Sequence, residues 1–275
     1  MSIAGGYHEA VKRAVAIGAN AVQLFSSSPR DWYPPIVSDA HKELFLQTRR
    51  DLGVNPAVFH ASYLLNLADT DYIGKKSVEI LSAELQLAKE LDILGSVVHV
   101  GSFKNGDEHG LFADDLYTPL LKNMETVLKR SDGGADFLIE NSATKKIGRR
   151  LEEIAYLITT LDHPCLKVCL DTCHLHAAGY DLSSQESFTR FVERFDELIG
   201  LSRLSVIHLN DSKDTFGSNR DRHENIGQGS IDMNVFRQLV NHPQTKDTFF
   251  VIETPGLEKK GPDKPNIDTI KSLIA

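Results

Sequence analysis

Residues 166–174 read LKVCLDTCH. The first six are almost continuously apolar and end in Asp171, which is how a strand buried on both faces of a parallel sheet reads. His174 follows three residues later, so a turn after Asp171 would bring both side chains to one cleft. Outward from this stretch the arrangement recurs. Short runs rich in Val, Ile and Phe stand at 21–25 (AVQLF), 56–60 (PAVFH), 96–100 (SVVHV), 136–140 (DFLIE), 204–209 (LSVIHL) and 248–253 (TFFVIE). Amphipathic helices separate them: in DYIGKKSVEILSAELQLAKEL (71–91), Val78, Leu81, Leu85 and Ala88 recur on one face. This alternation predicts an α/β fold of the TIM-type (β/α)8 barrel class, and 275 residues with no Gly/Ser- or Pro-rich linker suit one such domain, 1–275. Only seven strands are legible. AGGYHEAVKRAVAIG opens into a helix after Met1, Ser2 and Ile3, so the first strand is expected to be missing or truncated.

Polar residues able to bind metal close six of these runs: His60, His99, Glu140, Asp171 with His174, His208 followed by Asp221 and His223, and Glu253. One histidine or glutamate after a strand is usually a hydrogen-bonded structural residue. Six agreeing strand ends are another matter, because the carboxyl ends of barrel strands converge on one face. Five imidazoles and four carboxylates suit zinc, and would satisfy three ions if a carboxylate bridges and water completes the shells. In DRH, Asp221 and His223 are two apart and project to one side if the segment is extended. The other histidines, His8, His41, His109, His163, His176 and His242, fall on helices or loops and receive no role.

With 30 basic and 38 acidic residues the net charge is −8, which by itself disfavours a nucleic-acid partner. Three divalent ions held by neutral histidines would add six positive charges, leaving −2 and focusing the added charge in one cleft. Cys165, Cys169 and Cys173 are an odd number in a large domain and are expected to be reduced, small buried side chains on and beside a strand. No stretch has the make-up of a signal peptide or a membrane span, so a cytoplasmic protein with no membrane partner is expected.

The segments VFHASYLLNLA, HVGS, LIENSA, LDTCHLHAAGYDL, VIHLNDSK with DRHENIGQGSI, and VIETPG span nearly the whole chain. Together they resemble the endonuclease IV family of zinc-dependent apurinic/apyrimidinic endonucleases, with DTCH-x3-AGYD and HLNDSK-x8-RH the most specific matches. The resemblance implies a monomeric β/α barrel with three zinc ions, manganese replacing some of them. One zinc would take His60, His99 and Glu140; a second would share Glu140 and add Asp171, His208 and Glu253; the third would take His174, Asp221 and His223. The implied reaction is hydrolysis of the phosphodiester 5′ to an abasic site in duplex DNA by water activated at the metals, with Glu140 and Glu253 the catalytic carboxylates. Removal of 3′-blocking groups would use the same chemistry. By the same resemblance Tyr63 and Leu64 form a wedge entering the duplex, and Arg30 fills the stack opposite.

Two segments depart from the family pattern. After Glu140-Asn141 a Gly-rich turn is replaced by the shorter Ala143-Thr144-Lys145-Lys146-Ile147-Gly148, whose lysines could contact phosphates. The strand that the family carries before Ser2 to Gly6 is absent. The amides of Asn225 to Gly229 could also bind phosphates, or form a plain turn. Two other readings stand beside the nuclease: a metal-dependent sugar isomerase or epimerase on a similar barrel, and a damage-binding protein that kept the site without turnover.

Overall fold

Seven short strands pair in parallel in the order β1 (Val22–Phe25), β2 (Ala57–His60), β3 (Gly95–Val98), β4 (Asp136–Glu140), β5 (Leu166–Asp171), β6 (Leu204–His208) and β9 (Phe249–Val251). The computed structural model describes residues 1–103, 114–245 and 248–275, with only the backbone at 114 and 115; His109 lies outside them. Helices α1 (Tyr7–Ala16), α2 (Asp39–Leu52), α3 (Tyr72–Glu90), α4 (Asp114–Arg130), α5 (Leu151–Leu161), α6 (Thr172–Ala178), α7 (Gln185–Leu198), α8 (Met233–Asn241) and α9 (Lys264–Lys271) complete the barrel architecture. A two-stranded antiparallel ribbon of β7 (Asp211–Ser212) and β8 (His223–Glu224) stands apart from the main sheet. Among the described residues no strand pairs with the outer edges of β1 and β9, so an open seam lies between them, in line with the seven runs read from the sequence. A cavity of about 250 Å³ lies along it, lined by Val22, Gln23, Leu24, Val251 and Glu253 among others. No described helix is long and apolar enough to cross a membrane.

Inside the barrel Val58, Val97, Leu138, Cys169 and Val206 form one buried apolar cluster, with Val251 packed against it. Successive strand side chains alternate between faces, so the residue two positions further along each strand also points inward. Those residues are His60, His99, Glu140, Asp171, His208 and Glu253. The apolar layer is therefore the floor of the polar cluster. A one-residue irregularity completes the alignment: Val168 pairs with Leu204 but Cys169 with Val206, leaving Ser205 as the extra residue. Without this bulge Asp171 would lie opposite Ile207; with it, Asp171 faces His208.

Two strands end earlier than their sequence suggests. β3 stops at Val98 because Val100 carbonyl accepts from Leu67 N–H (2.9 Å), drawing the chain out of the sheet before His99. β9 stops at Val251, and Glu253 N–H donates instead to Asn210 Oδ1 (2.7 Å).

The floor can be tested by truncation. Leu138 is fully buried beneath Glu140, so Leu138→Ala should cost about 2–5 kcal/mol of unfolding free energy in a urea titration. A loss no larger than that of a surface substitution would show that the barrel interior is not close-packed.

Candidate metal centre

Glu140, the last residue of β4, is fully buried and stands at the middle of the cluster. Its Oε2 lies 3.2 Å from His60 Nε2 and 3.1 Å from His99 Nε2, and its Oε1 lies 3.2 Å from His208 Nδ1 and 3.4 Å from His174 Nδ1. One carboxylate thus faces two different sets of imidazoles. His60, His99 and Glu140 have ligand atoms within 4.8 Å of one another, as do Glu140, Asp171, His208 and Glu253. Around His174, Asp221 Oδ1 lies 3.2 Å from His174 Nε2 and 3.4 Å from His223 Nε2, and His223 Nε2 lies 3.6 Å from Asp171 Oδ2. All nine candidate residues are brought together in these overlapping groups.

The turn in DTCH is a helix cap. Asp171 Oδ1 accepts from His174 N–H (2.9 Å) at the start of α6, which leaves Oδ2 for the cleft and swings His174 beside it. His174 Nδ1 donates to Asn141 carbonyl (2.9 Å) and His60 Nδ1 to Ala61 carbonyl (2.9 Å). A carbonyl only accepts, so in the neutral ring each Nε2 presents a lone pair to the cluster. His99 Nδ1, His174 Nε2 and His223 Nε2 are buried with no hydrogen-bond partner. Asp221 is near two of these nitrogens without the geometry of a hydrogen bond. Buried imidazole nitrogens left open beside carboxylates are what a set of cation ligands looks like, and the donor set suits zinc.

Burial favours the neutral forms, but here the charges face one another. Burial lowers His60 and His174, yet Glu140 raises the first to about 9, and Asp171 and Asp221 raise the second to about 10. Burial would raise Glu140, but His99, His208 and His60 hold it well below the usual carboxylate range. Asp221 is held down to about 2 against burial by His174. His99 falls to about 4 because burial outweighs Glu140.

Several supporting residues escaped the sequence reading. Asn141 Oδ1 accepts from Asp171 N–H (2.6 Å), and Asn210 Nδ2 donates to Asp171 Oδ2 (2.6 Å). Asp211 takes the amides of Gly227 and Gly229 on Oδ2 (2.9 Å each) and that of Ile231 on Oδ1 (3.0 Å). A Cβ on Gly229 would meet Asp211 Oδ1 at 2.3 Å, so this close approach needs glycine. The amides of Asn225, Ile226 and Gln228 donate to Glu224, Asn266 and Asn225. The suggested phosphate-binding role of 225–229 is therefore corrected: these amides already have partners, and the segment is a turn that anchors the β7–β8 ribbon carrying His223. Asn141, Asn210 and Asp211 each follow a candidate ligand by one to three residues, which was the available signal.

Cys169 and Cys173 are buried thiols, as expected, whereas Cys165 is only half-buried; burial pushes Cys169 up to about 12. Cys173 also lies within reach of Asp221 and His223. His176 bonds Ser230 Oγ (3.1 Å) and belongs to none of the ligand groups. Arg30 and Tyr63 are exposed and Leu64 half-buried, on loops joined by Ser62 Oγ donating to Pro29 carbonyl (2.6 Å).

These directions give a pH prediction. In metal-free protein at pH 7.5 His60 and His174 carry protons, since their values lie above that pH. An ion must displace them, so loading should release protons, and apparent affinity should rise with pH through about 9 to 10. A pH-indicator assay during zinc addition measures this; uptake without proton release would contradict it.

Residues 11–274 match the family described as xylose isomerase-like TIM barrel. A protein of Persephonella marina named probable endonuclease 4 is 37% identical over 266 residues, covering 95% of this chain and 91% of its own length. A probable endonuclease 4 of Natronomonas pharaonis is 38% identical over 279 residues, covering 99% and 96%. The crystal structure of endonuclease IV from Thermus thermophilus superposes with a TM-score of 0.86 at 36% identity, over 99% of this chain and 96% of that one. With its barrel, its cluster and these full-length similarities, the chain belongs to the endonuclease IV family of metal-dependent nucleases.

Proposed function

We propose that this protein is a DNA-repair endonuclease that hydrolyses the phosphodiester 5′ to an abasic site in duplex DNA at a centre of three zinc ions, and clears 3′-blocking groups by the same chemistry. The observation that carries the reading is the division of buried Glu140 between two imidazole groups, with three further buried ring nitrogens left without a hydrogen-bond partner. All nine candidate ligands come from one chain, so a single barrel domain acting as a monomer suffices. Bound divalent ions supply Lewis acidity toward a phosphodiester and bring the pKa of water toward about 7. His60, His99 and Glu140 would hold one ion; Glu140, Asp171, His208 and Glu253 a second; His174, Asp221 and His223 the third. Glu140 and Asp171 are fully buried, whereas the Glu253 side chain is 25% exposed at the mouth of the group. Within that group Glu253 is thus the carboxylate able to orient an attacking water.

Recognition would fall to the surrounding loops. Tyr63, 56% exposed, and Leu64 would enter the duplex from one side and Arg30 from the other. Extruding a nucleotide costs a few kcal/mol, least where the base is already missing, so the wedge adds selectivity. The loops continue as one rim: Asn66 bonds both N–H and carbonyl of Ser102, and Gly101 carbonyl accepts from Ile147 N–H (3.1 Å). That last bond pins the short loop after Glu140. Among the described residues no ion pair of 4.0 Å or less joins the side chain of Lys145, Lys146, Arg149 or Arg150 to a carboxylate; Glu153 accepts only from the Arg150 backbone N–H (3.4 Å). Four uncompensated cations in six residues fit the phosphate backbone.

The decisive assay is incision of a duplex with one tetrahydrofuran abasic analogue. Zinc-loaded protein should cut on its 5′ side, a chelator should abolish the cut, and Tyr63→Ala with Leu64→Ala should weaken binding with zinc content unchanged. No incision by the loaded protein would overturn the nuclease reading. Replacing Lys145 and Lys146 by Gln should lower the slope of log affinity against log salt by about 2; an unchanged slope would remove these lysines from the interface.

A further inference from the structure

Gln23 is the one inward-facing amide on β1, paired in register with Val58 of the apolar floor. It is 8% exposed, and an amide buried in such surroundings is costly unless both its ends are bonded. Both are. Its Nε2 donates to Glu253 Oε1 (2.6 Å), and its Oε1 lies 2.8 Å from His208 Nε2. The ionised carboxylate can only accept, which fixes the amide's orientation; the amide oxygen in turn can only accept, which places the proton of His208 on Nε2. His208 Nδ1 is then the atom turned toward Glu140 Oε1 (3.2 Å) and Glu253 Oε2 (3.3 Å).

The position of Gln23 in the barrel matters as much as its bonds. β1 and β9 are not paired, so no ladder hydrogen bond sets Glu253 against β1. The Gln23 side chain spans that seam at the level of the cluster.

We propose that Gln23 is a positioning residue of the metal centre: it holds His208 with Nδ1 toward the cation and aims Glu253 across the open seam, setting the affinity of the group formed by Glu140, Asp171, His208 and Glu253. The proposal rests on the metal-centre reading above. Partners that orient a metal-binding imidazole typically change affinity by about 10–100-fold when removed.

The test is titration of the metal-free full chain with cobalt(II), followed by calorimetry and by the visible bands that report each ligand set. Gln23→Leu keeps the volume and removes both bonds. One binding step should weaken by about 10–100-fold with its share of the spectrum altered, while the other steps keep parent affinities. Gln23→Glu keeps an acceptor for His208 but opposes a carboxylate to Glu253, and should weaken the same step; it serves if the leucine variant fails to fold. Parent affinities and spectra in a folded variant, even with a lower melting temperature, would make Gln23 a structural bond only and overturn the proposal. Failure of the parent chain to take up cobalt would overturn the metal reading itself, a result distinct from a parent that binds and a variant that binds equally well.

Discussion

Everything polar in this barrel is arranged around one buried carboxylate. Glu140 has no exposure, and an isolated ionised carboxylate in such a place costs several kcal/mol unless charge or hydrogen bonds offset it. Four imidazoles within 3.4 Å provide the offset, and they arrive from four different places: the end of β2, the residue after β3, the first turn of α6 and the end of β6. A one-residue slip in any strand would turn its contributor to the other face. The extra residue Ser205 shows how closely register is set, because it moves His208 opposite Asp171.

Around that centre the second layer of hydrogen bonds decides which nitrogen of each ring faces inward. Ala61 and Asn141 carbonyls fix His60 and His174, while Asn141 and Asn210 hold Asp171 from both sides. Lone pairs are thereby aimed at carboxylates, a repulsive arrangement unless protons or cations lie between them. Protons fill the role in the metal-free fold, which is why His60 and His174 titrate so high. A bound metal ion would compete with protons for these same positions.

The sequence made the barrel legible because strands buried on both faces read as short apolar runs, and because seven of the nine candidate ligands, all but Asp221 and His223, stand at or just after such a run. It was silent where chemistry depends on a partner distant in the chain. Gln23 is the one polar residue in AVQLF, and only the curling of the sheet brings it to His208 and Glu253, 185 and 230 residues away. Asp211 is the first of four acids in residues 211–224, and nothing in the sequence sets it apart until its three amide partners appear. The glycines of ENIGQG suggested open amides, but glycine signals only backbone freedom, and here the freedom serves close approach to Asp211.

Charge ties the cluster to the surface. An acidic chain of net charge −8 repels a polyanion on average, so attraction must be local. The short loop after Glu140 meets this need on its own side: it leaves β4 immediately beyond the buried carboxylate and is tied to Gly101, two residues past His99, with its lysines exposed. The cleft beside it holds four carboxylates, Glu140, Asp171, Asp221 and Glu253, which without cations would oppose the loop. Three divalent ions with the histidines neutral would bring that cleft to +2, whereas the metal-free cleft stays negative even with protons on His60, His174 and His208. Affinity for a phosphate backbone and competence for hydrolysis would then depend on the same ions, so a metal-free protein would neither hold the strand at the centre nor cut it.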